Sequence, residues 1–166
     1  KNKGAIPNFV YALQQCKGKY IAICEGDDYW SCPNKLQQQF DYLETHSDIV
    51  ICGTGYSVLR DKVVSKGRLF KKETVVGHMD LVLENTIATL TSFFRNPNVL
   101  PGYLSLCNFG DMSLWLHLTK EGQKAALLPS NTAVYRVHEG GVFSESSRIK
   151  KIRAGFHDKR LFVDNN

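Results

Sequence analysis

The apolar positions in the first third of the chain predict a helix, a strand, a second helix and a second strand, in that order. The first apolar stripe has helical spacing and consists of Phe9, Val10, Leu13 and Cys16. A continuous apolar run at residues 20–24 follows, which is typical of a strand buried on both faces. The second helix begins at Pro33, and its predicted inward-facing residues are Leu36, Phe40 and Leu43. Residues 48–52 form the second apolar run, and this alternation favours a parallel, right-handed α/β arrangement.

Beyond Gly53 the pattern is less regular and predicts short, antiparallel strands at the edge of the sheet. Extended segments are predicted at residues 56–60, 63–69 and 89–95, and a short helix at residues 77–84. A clearer helix at residues 111–120 precedes strands at 124–128 and 132–137. Because the chain has no repeat, low-complexity tract or linker-like stretch, we predict one α/β domain over residues 1–166.

Composition supports a globular domain rather than a disordered or membrane-spanning chain. The 166 residues are 43% apolar and 22% charged, enough for a substantial core. The longest apolar runs are far shorter than the roughly 18 residues that a spanning helix needs. Five cysteines without a C-x-x-C pair favour free, mostly buried thiols in a reducing compartment rather than a zinc site. We therefore expect a cytoplasmic protein, and the absence of an initiator Met leads us to expect a piece of a longer chain.

Much of the net charge of +5 is concentrated in the C-terminal segment, residues 144–166. Its cations are Arg148, Lys150, Lys151, Arg153, Lys159 and Arg160. Apolar residues recur between them at helical spacing, so two interpretations stay open: a solvated face on a packed terminal helix, or a basic amphipathic helix at the anionic inner face of a membrane. Elsewhere the chain has no basic stripe with interleaved aromatic residues, and we expect no nucleic-acid partner.

The most unusual local feature is the acidic turn Glu25-Gly26-Asp27-Asp28, directly after a predicted buried strand. Three carboxylates within four residues repel one another unless a cation or a hydrogen-bond network compensates them. In open α/β sheets the carboxyl ends of strands form the ligand crevice, and such oxygen ligands suit Mg²⁺ or Mn²⁺ bound with phosphates. An acidic surface turn that caps a helix is the alternative. A calcium-binding helix-loop-helix fits this segment poorly, because the required glycine and glutamate positions are occupied by other residues.

Several segments together resemble the family 2 glycosyltransferases of the GT-A fold, over residues 2–146. They are Asn2-Lys3-Gly4, Gly18-Lys19-Tyr20-Ile21-Ala22, Glu25-Gly26-Asp27-Asp28-Tyr29-Trp30, Pro33-x-Lys35-Leu36-x-x-Gln39, Gly110-Asp111-Met112-Ser113-Leu114-Trp115-Leu116 and Tyr135-Arg136-Val137-His138-Glu139-Gly140. The resemblance implies a Rossmann-like mixed sheet flanked by helices. It also implies that the family's first strand and its base-binding segment precede Lys1.

The resemblance assigns metal binding to the acidic turn and catalysis to Asp111. Asp27 matches the second aspartate of the family's D-x-D motif, Glu25 stands where the first aspartate is usual, and Asp28 shares the ribose or metal contact. Asp111 matches the general base that takes the proton of the acceptor hydroxyl. From the local sequence alone, a helix N-cap is the favoured explanation of Asp111, and the resemblance reverses that preference. Gly110 stands where the family usually has a glutamate.

The remaining expected site residues are donor-binding by resemblance. Asn2 and Gly4 would line the nucleotide side. His138, in a glycine-bearing loop, would either touch the diphosphate or the metal or have a structural role. Trp30 shapes the sugar pocket or belongs to the core. Thr91 and Ser92, on a central strand, would face the sugar.

The predicted function is metal-dependent transfer of a sugar from a nucleotide-diphosphate donor, a UDP-sugar above all, to a saccharide or lipid-linked hydroxyl acceptor. Resemblance favours inversion and a role in cell-surface polysaccharide synthesis. Two alternatives stay open: a sugar nucleotidyltransferase of related architecture, and a non-catalytic module of the same fold that binds nucleotides or sugars.

Overall fold

A mixed sheet of seven strands lies at the centre of the computed structural model, which describes residues 3–139 and 146–166. In chain order the elements are α1 (Ala5–Gln15), β1 (Tyr20–Ala22), β2 (Tyr29–Trp30), α2 (Lys35–Thr45), β3 (Ile49–Arg60), β4 (Val63–Lys66), β5 (Thr74–Val76), α3 (His78–Leu83), a 3₁₀ helix (Thr89–Thr91), β6 (Phe93–Arg95), a second 3₁₀ helix (Gly102–Leu106), α4 (Gly110–Thr119), β7 (Lys124–Val137) and α5 (Arg148–Asp164). The order confirms the predicted α/β class.

The strands lie in the order β1-β6-β3-β7-β2, with β4 paired to β3 and β5 paired to β7. Strands β3 and β7 are parallel, whereas β6 is antiparallel to both of its neighbours, β1 and β3. The first two predicted strands, β1 and β3, therefore run in the same direction but are not adjacent. The sequence pattern did not predict that β6 lies between β1 and β3, because β6 has only three residues and comes from the irregular middle of the chain.

The core lies on both faces of the sheet, since successive strand residues point to opposite sides. Ile51 and Phe94 belong to a large cluster that includes α1 and α4 residues, whereas their chain neighbours Cys52 and Phe93 belong to a second cluster that includes Leu43 of α2. Helices therefore cover both faces of the sheet. This burial on two sides explains why these strands are continuous apolar runs rather than alternating ones.

Two strands are longer than the sequence predicts. β3 continues without a break past Gly53, and β7 continues through Pro129. In the β3–β7 ladder Thr54 pairs with Leu128 and Gly55 pairs with Asn131, so residues 129 and 130 form a bulge. A bulge accommodates a proline that cannot donate to the ladder, and for this reason the predicted break at residues 129–131 was wrong.

The inward face of α2 also differs from the prediction. Lys35, Gln39 and Leu43 are buried, whereas Leu36 and Phe40 are 38% and 40% exposed. In the first two turns of α2 the buried positions therefore lie one residue before the predicted ones, whereas Leu43 is buried as predicted. Polar side chains take the buried positions because they hydrogen-bond one another and the backbone of neighbouring elements.

The five cysteines are free, as expected, but only Cys52 and Cys107 are buried; Cys16 and Cys24 are exposed. Cys24 lies beyond the end of β1, which is two residues shorter than the apolar run suggested. Within the described part of the chain, no helix has the length and hydrophobicity needed to cross a bilayer.

Candidate functional site

The site forms where the antiparallel pair β1–β6 ends. Ala22, the last residue of β1, pairs with Phe93, the first residue of β6, and beyond this pair the two segments diverge. The acidic turn follows β1, and the 3₁₀ helix Thr89–Thr91 precedes β6, so both segments emerge at the same edge of the sheet. This divergence creates the crevice that the sequence predicted after the first strand.

The acidic turn is fixed against the end of β7. Tyr29 and Trp30 of β2 pair with Val134 and Ala133 of β7. The backbone N–H of Arg136 consequently donates to Asp28 Oδ1 at 2.8 Å, while Asp28 Oδ2 is buried without a hydrogen-bond partner among the described residues. Desolvation raises the pKa of Asp28 despite the Arg136 bond. One carboxylate oxygen thus remains uncompensated beneath the turn.

Asp27 lies beside His138, the first residue after β7. Asp27 Oδ2 is 2.9 Å from His138 Nε2, and His138 Nδ1 is 2.7 Å from the carbonyl oxygen of Glu139. Because a carbonyl can only accept, Nδ1 carries the hydrogen, and a neutral ring would direct the Nε2 lone pair at the carboxylate. The hydrogen bond lowers the pKa of Asp27 and raises that of His138. The contact therefore requires a positive charge, either a proton on Nε2 or a cation bound by both side chains.

Glu25 lies at the opposite side of the turn and faces a cleft. The side chain remains accessible, yet the cleft walls displace much of its hydration. This desolvation, together with repulsion by Asp111, Asp28 and Asp27, raises the pKa of Glu25 to about 7. Asp27 and Glu25 therefore differ in their electrostatics. The lowered pKa of Asp27 stabilises its anion, whereas the pKa of Glu25 lies close to neutral pH.

Asp111 is held in the first turn of α4 by two donors from the chain before β6. Its Oδ2 accepts hydrogen bonds from Thr89 Oγ1 at 3.0 Å and from Asn85 Nδ2 at 3.3 Å. Phe109 occupies the N-cap position, but the Asp111 carboxylate also accepts hydrogen bonds from the backbone N–H groups of Asp111 and Met112, so it stabilises the start of α4 as well. Desolvation raises the pKa of Asp111, and the hydrogen bonds from backbone, Thr89 and Asn85 oppose that increase. The carboxylate is thus oriented and partly dehydrated, as a proton acceptor needs to be.

Glu25 and Asp111 line the same cleft, which has a volume of about 750 Å³. Its other walls come from the N-terminal half of α1, residues 85–90, Tyr56, Tyr135 and α5. A cleft of this size holds a drug-sized organic ligand, and its apolar walls with a few convergent polar groups are typical of binding sites.

Comparison with known proteins decides the family. The profile described as Glycosyl transferase family 2 matches residues 1–103. The chain belongs to glycosyl transferase family 2.

Three relatives illustrate how far the likeness extends. An uncharacterized protein of Mycobacterium tuberculosis is 30% identical over 86% of this chain and 41% of its own length. The Escherichia coli UDP-Glc:alpha-D-GlcNAc-diphosphoundecaprenol beta-1,3-glucosyltransferase WfaP is 28% identical over 84% of this chain and 54% of its own length. The structure of S. aureus TarS 1-349 in complex with UDP-GlcNAc matches with a TM-score of 0.57 at 12% identity, over 93% of this chain and 49% of the TarS 1-349 chain. The likeness to TarS shows the GT-A fold, and the chain spans about half the length of these relatives.

In this family 2 chain, the donor-binding residues predicted from the sequence are only partly brought together. Trp30 is half-buried and donates through Nε1 to the carbonyl of Leu90 at 2.9 Å, so it braces the segment before β6. Gly4 begins α1 with a φ of 87°, and the cleft wall starts with the next residue, Ala5. Asn2 lies outside the described residues.

The expectation for Thr91 and Ser92 was wrong. Both are fully buried beneath the cleft, in or next to the 3₁₀ helix rather than on a strand. Their hydroxyls donate to the carbonyls of Ala88 and Thr89. Thr89 faces the cleft instead. The 3₁₀ turn shifts the side-chain directions relative to a strand, and no local sequence pattern predicts that turn.

The resemblance implies a divalent metal, and Asp27 of the acidic turn together with His138 offers two adjacent ligand atoms for one. Among residues 3–139 and 146–166, no three His, Cys, Asp or Glu side chains converge on one point. Asp27 and His138 nevertheless lie 2.9 Å apart, and two neighbouring ligands of an octahedral ion at ~2.1 Å are separated by about 3 Å. The Nδ1 contact with a backbone carbonyl is the usual second-shell arrangement of a metal-binding histidine. Waters and donor phosphates would complete such a site.

Sequence reasoning missed the residues that support the site from below. Lys35 Nζ donates to Gln39 Oε1 at 2.7 Å and lies 4.6 Å from the centre of the Trp30 ring. Gln39 Nε2 donates to the carbonyls of Cys52 and Thr91. The two residues stood in a motif that carried the resemblance, and the spacing of four residues on one helix face was the available signal for a shared role.

Proposed function

We propose that this protein transfers a sugar from a nucleotide-diphosphate donor to a hydroxyl group of an acceptor. The observation that carries the proposal is the placement of Asp111. It is oriented by Thr89 and Asn85, and it shares a cleft with Glu25 of the acidic turn. Membership of glycosyl transferase family 2 supports the same conclusion.

The donor we propose is a UDP-sugar, bound on the side of the acidic turn. The name of WfaP specifies UDP-Glc, and TarS binds UDP-GlcNAc and UDP. In this chain the donor diphosphate would lie near Asp27 and His138. The acidic turn repels a diphosphate by itself, so a cation between the two is a chemical requirement of this placement.

Asp27 and His138 would hold that cation, Mg²⁺ or Mn²⁺, with Asp28 behind them. When bound, the ion neutralises the charge that develops on the departing nucleoside diphosphate. His138 would bind the cation through Nε2 in place of a proton, and its Nδ1–H bond to the Glu139 carbonyl would orient the ring. Proton binding to His138 competes with this role, so cation binding should weaken as the pH falls.

Asp111 would act as the general base. The acceptor oxygen attacks the anomeric carbon while its proton passes to Asp111, and the bond between the anomeric carbon and the diphosphate oxygen breaks with its electron pair on the diphosphate. Attack from the face opposite the leaving group inverts the configuration. The raised pKa of Asp111 brings the base closer to the working pH, where proton transfer is most effective.

The test separates donor binding from turnover in the intact protein. UDP is titrated calorimetrically with Mn²⁺ and again with excess chelator. Turnover is measured with UDP-glucose and UDP-GlcNAc against a panel of saccharide and lipid-linked acceptors. Asp111→Asn should lower turnover by a factor of roughly 10² or more with UDP binding intact, whereas Asp27→Asn should weaken metal-dependent UDP binding.

Asp41→Asn, an exposed aspartate on α2, provides the matched control and should change neither quantity. Equal loss of UDP binding and turnover in Asp111→Asn would refute the assignment of the base. Metal-dependent UDP binding without transfer to any acceptor would favour a non-catalytic binding module.

A further inference from the structure

The 3₁₀ helix before β6 is held in place by hydrogen bonds to its backbone carbonyls. The carbonyl groups of residues 88–91 each accept a hydrogen bond from a side chain. Hydroxyl groups of the segment itself, on Thr91 and Ser92, supply the first two bonds at 2.8 and 2.7 Å. Trp30 Nε1 and Gln39 Nε2 supply the other two, both at 2.9 Å. Because buried carbonyls need such partners, β2 and α2 determine where this turn lies.

The Gln39 side chain is fully buried, and its amide joins α2 to the 3₁₀ helix and to β3. Nε2 donates to the carbonyl of Thr91 and, at 2.6 Å, to the carbonyl of Cys52 on the central strand. Oε1 accepts from Lys35 Nζ at 2.7 Å. Carbonyls only accept and an ammonium group only donates, so these partners determine which amide atom is oxygen and which is nitrogen. Gln39 therefore connects the 3₁₀ helix to the middle of the sheet, and Lys35 fixes the direction of the amide.

The same 3₁₀ helix carries Thr89, which faces the cleft. Thr89 Oγ1 donates to Asp111 Oδ2 at 3.0 Å, and the second donor, Asn85 Nδ2, is farther away at 3.3 Å. Thr89 lies two positions before Thr91, whose carbonyl accepts from Gln39. A displacement of the turn by about 1 Å would lengthen the Thr89 contact beyond hydrogen-bonding range. The orientation of Asp111 consequently depends on a side chain that lies on the far side of the turn.

We propose that Gln39, oriented by Lys35, is a positioning residue for the transfer reaction: it holds the 3₁₀ helix where Thr89 orients Asp111. The proposal rests on the function proposed above, because it takes Asp111 as the group that receives the proton of the acceptor. Gln39 and Lys35 lie outside the cleft lining, so their effect on turnover passes through Thr89. A misplacement of about 1 Å can lower a reaction rate by roughly 10²-fold. We therefore expect Gln39 to affect turnover without affecting donor binding.

The first test variant is Gln39→Met, which keeps the length of the side chain and removes both N–H donors and the acceptor. Gln38→Met makes the same substitution at an exposed position of the same helix and is the matched control. Turnover and UDP affinity are measured in the intact protein with Mn²⁺. Gln39→Met should lower kcat about 10- to 100-fold and leave the Kd of UDP within about twofold, and Gln38→Met should change neither.

Combination with Thr89→Val separates positioning from a general loosening of the fold. If Gln39 acts through Thr89, Gln39→Met should lower kcat by less than about threefold once Thr89→Val has removed the hydroxyl. A merely structural side chain would lower kcat by the same factor in both backgrounds, and that result would overturn the proposal. A loss of UDP affinity as large as the loss of kcat would also overturn it, because the site as a whole would then be disturbed.

A second variant and a structural measurement complete the test. Lys35→Met leaves Gln39 without the partner that orients its amide, so it should also lower kcat, and it replaces Gln39→Met if that variant does not fold. A crystal structure of either variant gives the distance between Thr89 Oγ1 and Asp111 Oδ2 without any reference to activity. We expect a distance above about 3.5 Å, and a distance unchanged from 3.0 Å would contradict the positioning role. Absence of turnover in the wild type contradicts the proposed function instead, and this distance still decides whether Gln39 positions Thr89.

Discussion

Lys35 provides the sharpest quantitative test of the support beneath the site. Its side chain is 1% exposed, donates to Gln39 Oε1 and packs over the Trp30 ring. No carboxylate within the described part of the chain forms a salt bridge with it. Substitution with methionine keeps the length and the hydrocarbon volume and removes the charge.

The structure determines how this substitution depends on pH. Burial lowers the pKa of Lys35 from 10.5 to about 8. Between these values the unfolded chain holds the proton and the folded chain does not, so the stability of the wild type rises with pH in this window. Integration gives an ionisation cost of about 3 kcal/mol at pH 7, which falls to about 1.5 kcal/mol at pH 9.5. Lys35→Met abolishes this term altogether.

The methionine also removes favourable contacts. The lost hydrogen bond leaves Gln39 Oε1 unsatisfied, which costs about 1–3 kcal/mol, and the lost cation–π contact costs about 1–2 kcal/mol. These losses offset most of the gain at pH 7, so we expect similar stabilities of variant and wild type there. At pH 9.5 the wild type should be more stable than the variant by about 2 kcal/mol beyond any difference at pH 7.

The measurement is urea unfolding of wild type and Lys35→Met at pH 7, 8.5 and 9.5, with Lys66→Met on the exposed strand β4 as the control. Taking differences between the two proteins cancels the titration of all other groups. A free-energy difference that stays constant over this pH range would refute the argument, because it would mean that Lys35 ionises in the folded protein as freely as in the unfolded chain.

Three further predictions concern the surroundings of Asp111. Thr89→Val removes a hydrogen bond that stabilises the carboxylate, so the pKa of Asp111 should rise, and the acid limb of the kcat/KM profile should move to higher pH, with Thr45→Val as an unrelated control. Asp158→Asn should destabilise the fold by about 3 kcal/mol in urea unfolding, since buried amides lose a charged acceptor. Gly110→Ala should lower the melting temperature, because a Cβ there would lie 2.8 Å from an aromatic ring of α1, whereas Gly155→Ala, with open space around it, should raise it.

The elements that the sequence predicted well are those with strong apolar periodicity. Helices α1, α2 and α4 and the first halves of β3 and β7 were identified because their apolar runs are long or bounded by Gly, Pro or acidic turns. Strand β6 lies within the extended segment predicted at residues 89–95, but the 3₁₀ helix that forms the first part of that segment was not predicted, since three-residue elements are determined by tertiary pairing rather than by local preference. This is why Thr91 and Ser92 were assigned to a strand.

The site was predictable as a set of residues but not as an arrangement. Motif resemblance pointed to Asp27, Asp111 and His138 separately. Their spacing in the fold depends on the register of β2 with β7 and of β1 with β6, and neither register is visible in the sequence because the strands involved are two or three residues long. The partners Thr89 and Arg136 follow from the same registers, which explains why they were missed.

The carboxylates of the acidic turn and Asp111 together leave the site with uncompensated negative charge. Asp27 is compensated by His138, but the second oxygen of Asp28 has no partner in the described structure, and Glu25 and Asp111 have raised pKa values. A structural acidic turn would be expected to satisfy its carboxylates, because unpaired buried charge destabilises the fold. Protonation or an entering cation relieves this negative charge, and a donor diphosphate, itself an anion, would enter only together with a cation. We therefore propose metal-dependent donor binding, and the titration of UDP with Mn²⁺ and with excess chelator is the measurement that tests it.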